Sequence, residues 1–131
     1  MPLSVPQTIV NPISVVVVNH NAGHLLLKCV EASLAQAAQV IVVDNCSTDA
    51  SMEKMAAACG AHPCLTTYLA DTNDGFAAGC NVGIGLAEYP QILFMNPDCI
   101  LGVGALGRLS SVLLSDPSIG MVGGRLVNPD G

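Results

Sequence analysis

The stretch ISVVVV at residues 13–18 is an apolar run broken only by Ser14, with valine at four successive positions. A strand with one face in water alternates apolar and polar residues, whereas a strand covered on both faces reads as a near-continuous β-branched run. The stretch therefore predicts a sheet sandwiched between helices. It ends in the polar turn Asn19-His20-Asn21, and over 23–38 the apolar residues Leu26, Cys29, Val30 and Leu34 recur at helical spacing. A second apolar run at 40–43 ends at Asp44. The next helix is expected to start at Asp49 as N-cap, turn Met52, Met55, Ala56 and Cys59 inward, and stop with Gly60 at C′. Strands at 64–69 and 91–95, helices at 76–87 and 103–114 and a short strand at 119–122 continue the alternation. Strands alternating with helices imply βαβ units, right-handed crossovers and a mostly parallel sheet with helices on both faces.

The composition excludes several functions. Of 131 residues only four, Lys28, Lys54, Arg108 and Arg125, are fixed cations, and the formal charge is −6. No basic stripe can neutralise a run of phosphates, and with no Trp, two Tyr and two Phe there is no stacking platform for single strands. Nucleic acid is thus not an expected partner, and an anionic ligand must rely on backbone amides, helix N-termini or a metal ion. No apolar run approaches the roughly 18 residues of a membrane span, and the N-terminus lacks the basic and apolar regions of a secretory signal, so a cytoplasmic location is expected. The six cysteines form no CxxC pair and are expected to be reduced and structural.

Ligands of open parallel sheets bind beyond the carboxyl ends of the strands. Three polar clusters fall at such ends: Asn19 with Asn21, Asp44 with Asn45, and Asn96 with Asp98. Each alone also reads as a turn, because Asn and Asp bond nearby backbone. A carboxylate at a strand end can hold Mg²⁺ or Mn²⁺, and Asp98 is the candidate. In NDGFAAGCNVG at 73–83, Gly79 and Gly83 suit close helix–sheet packing, while Asn73 and Gly75 precede the helix where anions bind. GVGALG at 102–107 matches the dinucleotide fingerprint literally, but it follows a late strand after six intervening residues, and the next acid, Asp116, comes too early. A dinucleotide-binding Rossmann domain is therefore the enzyme alternative. The alternative of a different class is a non-catalytic α/β interaction domain. His20, His24 and His62 show no metal-ligand spacing, and neither a G-x-S-x-G elbow nor a Walker A loop is present.

Taken together, VVVVNHN at 15–21, VVDNCSTD at 42–49, NDGFAAGCNVG at 73–83 and FMNPDC at 94–99 resemble family 2 glycosyltransferases, and within them the rhamnosyltransferase-like branch. The resemblance implies a GT-A (Rossmann-like) α/β fold, truncated at the C-terminus. Residues 1–12 would be an N-terminal extension and 13–131 the nucleotide-sugar-binding part. It further implies an inverting transfer from a UDP- or dTDP-sugar to an acceptor hydroxyl in cell-surface polysaccharide synthesis. The acceptor would be a glycan or lipid-linked molecule, and the location peripheral to the inner face of a bacterial membrane. Val18, Asn19, Asn21, Asp44, Asn73, Gly75, Asn81 and Asn96 would line the nucleotide-sugar, with Asp98 holding a divalent metal, Mg²⁺ or Mn²⁺. No catalytic residue is expected in this chain, because the family's base would lie beyond Gly131, and self-association through surface left exposed is expected. Asn96 stands where the common D-x-D has its first Asp, His20 where Tyr is usual, and Cys80 where many relatives carry Arg.

Overall fold

The computed structural model describes residues 10–130. Residues 1–9, most of the expected extension, and Gly131 lie outside the described residues. The valine run is β1 (Asn11–Asn19), which lies inside a sheet with β2 (Ala37–Asp44), β3 (Leu65–Leu69) and β4 (Gln91–Met95). All pairings are parallel and the order is β3-β2-β1-β4. The helices α1 (Leu25–Leu34), α2 (Ser51–Cys59), α3 (Phe76–Leu86) and α4 (Ala105–Leu114) alternate with the strands.

Alternate residues of β1 and β2 serve two cores. Val15, Val17, Val40 and Val42 meet Leu26, Cys29 and Val30 of α1, Met55 and Cys59 of α2 and Leu106 of α4. Val16, Val18, Ile41 and Val43 face the other way, where Cys80 and Val82 of α3 cover them. Each fully buried valine contributes about 1.5–3 kcal/mol relative to an exposed one, so the two faces of β1 anchor both layers. On the α3 side the approach is close: a Cβ on Gly79 would lie 2.6 Å from Val18 Cγ1, and one on Gly83 would collide with Val16. Beneath α3, Ser14 Oγ donates to Gln39 Oε1 (2.6 Å) and Gln39 Nε2 donates to Leu86 O (3.1 Å). This buried pair ties the end of α3 to the sheet.

Several boundaries differ from the expectation. α1 stops at Leu34 instead of continuing to Ala38, because Ala37 is buried and pairs with Asn11 while Gln39 is buried in β2. Strand pairing overrides the helix propensity of the alanines there. α2 is capped at Ala50, not Asp49, and Gly60 is right-handed (φ −59°), so no left-handed C′ residue ends the helix. α4 begins at Ala105 after Gly104, whose left-handed backbone (φ +73°) fits its glycine. Residues 119–122 form no strand; Gly120, Gly123 and Gly124 offer little to a ladder. β1 begins two residues earlier than the run itself.

The strand order fixes where a ligand can sit. The chain winds outward from β1 through β2 to β3, then returns to place β4 on β1's other side. By the general rule for open parallel sheets, the reversal between β1 and β4 puts the ligand position at their carboxyl ends, beside the loops at 20–24 and 96–104.

Candidate functional site

Asn19, Asp44 and Leu69 end their strands in register, so the loops that follow start at one level. Asn19 is fully buried, and its Nδ2 donates to Asp44 Oδ1 (2.9 Å) and Ser51 Oγ (2.9 Å). Asp44 Oδ1 also accepts from Ser47 Oγ (2.6 Å), and its Oδ2 accepts from Ser47 N (3.0 Å). The buried carboxylate is therefore satisfied by local donors. Asn21, left-handed at φ 53°, accepts at Oδ1 from the backbone N–H groups of Thr48 (2.8 Å) and Asp49 (3.1 Å), while its own N–H donates to Ser47 Oγ (2.9 Å). Asp49 closes the lacing by accepting from Gly23 N (2.9 Å) and from the Ser51 hydroxyl. The Ser51 hydroxyl holds the Asp49 carboxyl below the usual carboxylate range. The loops after β1 and β2 thus behave as one rigid piece. Sequence reasoning missed Ser47, Asp49 and Ser51 in this role, although Ser-Thr-Asp before a helix is the pattern that signals side-chain bonds to a helix start.

Asn45, expected at a strand end but not among the residues lining the nucleotide-sugar, occupies the centre. It is 4% exposed, its N–H donates to Asn19 O (2.8 Å), and its Nδ2 donates to Gly75 O (2.9 Å) at the start of α3. Its Oδ1 has no partner among the described residues, and since no buried side-chain polar atom among them is orphaned, that oxygen is not fully buried. Gly75 needs its glycine (φ +94°) and is held from the other side by Asn73 Oδ1, which accepts its N–H (3.1 Å). The structure therefore brings Asn19, Asn21, Asp44, Asn73 and Gly75 into one hydrogen-bonded group around Asn45. Val18 turns its side chain to α3, beneath Gly79. Asn81 lies exposed on α3, outside that group.

Asn96 and Asp98 follow β4, whose last pair is Met95 with Val17, and both are exposed. Asn96 O receives the N–H of Cys99 (3.1 Å) and the thiol of Cys29 (3.7 Å). Burial, then the neighbouring Cys99, pushes the Cys29 thiol up to about 12, and burial raises Cys99 as well. Raised in this way, both thiols stay in the protonated form under the turn. Among the described residues Asp98 Oδ1 meets only the Cys99 thiol (3.9 Å), so most of its lone pairs are open there. Among the described residues no three His, Cys, Asp or Glu side chains converge. One open carboxylate fits a hard cation that takes its remaining ligands from phosphate oxygens and water; it does not fit a protein-only metal cage. The GVGALG segment serves the fold by joining α1 to α4. Gly102 O accepts from Gln36 Nε2 (2.8 Å), Gln36 Oε1 accepts from Leu106 N (3.1 Å), and Gly104 turns the chain into α4. No helix among the described residues is long and apolar enough to cross a membrane.

The sequence profile of glycosyl transferase family 2 matches residues 14–131. Among solved structures, the mannosyltransferase PcManGT from Pyrobaculum calidifontis, in complex with GDP-Man and Mn²⁺, is 21% identical with a TM-score of 0.74. That match covers 85% of this chain and 34% of that one. TarS 1–349 of S. aureus is 23% identical with a TM-score of 0.67, covering 77% of this chain and 32% of that one. A further TarS structure, with the same identity, TM-score and share of this chain, contains UDP-GlcNAc. This chain spans about a third of the length of those structures. No curated protein matches it. The fold is that of GT-A glycosyltransferases.

Proposed function

Since this chain belongs to glycosyl transferase family 2, we propose that its laced strand ends bind the nucleoside diphosphate sugar of an inverting transferase. The observation that carries this reading is Asn45: a buried amide at the strand ends whose nitrogen is committed to Gly75 O and whose oxygen, not fully buried, has no partner among the described residues. Such an oxygen can only accept, so it suits a base edge that donates an N–H, as the ring imide of uracil or thymine does. UDP- or dTDP-sugars are the proposed donors. In this reading Asn19, Asn21 and Asp44 shape the site through their hydrogen bonds, Asn73 and Gly75 form its wall, and Val18 and Asn81 flank it.

At the carboxyl ends of β1 and β4, Asn96 and Asp98 would face the diphosphate. Asp98 is the residue to hold Mg²⁺ or Mn²⁺, which, when bound, neutralises charge on the leaving diphosphate. No residue of this chain is assigned as the base that deprotonates the acceptor. A glycan or lipid-linked acceptor, cell-surface polysaccharide synthesis, a rhamnosyltransferase-like specificity and action in the cytoplasm beside the membrane complete the proposal. So does self-association through apolar surface such as Phe94 on β4, the outer strand among the described residues. Titration calorimetry with UDP, dTDP and GDP, each with and without Mn²⁺, is the test. Binding strengthened by Mn²⁺ is expected, and Asp98→Ala should remove the metal-dependent part while leaving the melting temperature unchanged. A folded protein that binds none of the three overturns the reading.

A further inference from the structure

We propose that His20 is a positioning residue that holds the donor site in its binding geometry only while its imidazole is neutral; this rests on the donor-site reading above. His20 is exposed at the mouth of the loop after β1, with Nδ1 2.9 Å from Asn45 O. A carbonyl oxygen only accepts, so Nδ1 carries the hydrogen, and in a neutral ring Nε2 is then an acceptor. Nε2 lies 3.4 Å from Asn21 Nδ2, which donates to it. The Asn21 amide cannot turn round, because its Oδ1 holds the N–H groups of Thr48 and Asp49. One ring thereby fixes Asn45, whose side chain reaches Gly75, and Asn21, which holds the turn at 47–49.

A second proton makes Nε2 a donor facing a donor. The Asn21 bond is lost, and a ring that swings to relieve the conflict also releases Asn45 O. The other titratable groups around these loops do not rescue it. Asp44 is occupied by Asn19 and Ser47, and Asp49 by Gly23 and Ser51. Asp49, held below the usual carboxylate range by Ser51, stays charged throughout. Asp74 accepts from Thr72 (3.1 Å), and Cys46, His24, Asp71 and Asp98 make no hydrogen bond to the ring.

The experiment compares wild type with His20→Asn, whose amide can donate to Asn45 O from the Nδ1 position and does not titrate. UDP, dTDP and GDP are titrated with Mg²⁺ between about pH 8 and pH 5, the interval in which histidine changes charge. Wild type is expected to lose about three- to tenfold in affinity beyond any change seen in His20→Asn, as one or two hydrogen bonds would give. The variant carries the nucleotide's own phosphate titration and serves as the baseline. Parallel profiles overturn the proposal. So does tighter binding at low pH in wild type alone, which would make His20 a cation for the diphosphate. A ligand-free readout separates this from failure of the donor-site reading. The amide resonances of Thr48, Asp49 and Gly75 should move with pH in wild type and stay in place in His20→Asn. If they do not move, the proposal falls whether or not a nucleotide binds.

Discussion

Asn19, Asn21, Asp44 and Asn45 look equivalent as polar residues after strands, yet they do different work. Three of them direct their polar atoms into the protein, and only Asn45 keeps an oxygen without a partner among the described residues. Sequence could place these side chains at the strand ends, because apolar runs stop there. It could not tell which were consumed internally, since that depends on bonds to Ser47, Asp49 and Ser51 across the gap between two loops. The same loop holds a strained residue: Cys46 is exposed with φ 58°, a left-handed conformation that costs a side-chain-bearing residue about 1–2 kcal/mol. Glycine removes that strain at some cost in unfolded-state entropy, and no packing is lost. Cys46→Gly should therefore stabilise the protein by about 0.5–1 kcal/mol, read as a rise of a few degrees in the thermal midpoint. An unchanged or lowered midpoint would show that the thiol makes a contribution its exposure hides.

At the level of elements, α3 shows how spacing decides packing. Gly79 and Gly83 sit against Val18 and Val16, whereas a Cβ on Gly85 would meet nothing within 4 Å. Gly83→Ala should cost about 1–3 kcal/mol by overpacking, and Gly85→Ala should gain up to about 1 kcal/mol of helix propensity. Denaturant unfolding of the two variants checks the opposite signs; equal effects would mean that α3 is free to shift away from β1. The four-residue glycine spacing made this face legible in advance. So did the valine run, the second run ending at Asp44, and β4. What escaped was set by tertiary partners: Ala37 joins β2 because Asn11 lies opposite, and residues 119–122 lack a pairing strand. A periodicity rule cannot see either neighbour.

For the molecule as a whole, a charge of −6 with four cations repels a diphosphate before any contact forms. Metal-free nucleotide binding should therefore strengthen as NaCl is raised through the low-salt range, the reverse of a basic binding protein, with calorimetry at several salt concentrations as the check. Weakening with salt would mean that local amide dipoles outweigh the global field. The central place of β1 also governs the order in which the chain can assemble. Val15 meets Val40 on one side but Leu93 on the other, and the longer closure costs about 1 kcal/mol more in chain entropy. At ribosomal rates of about 5–20 residues per second, β4 emerges roughly 3–10 s after β2. Through that interval the valine strand can pair on one side only, its second edge open to any neighbouring chain. A nascent polypeptide held at that length is the form of this protein most in need of a chaperone.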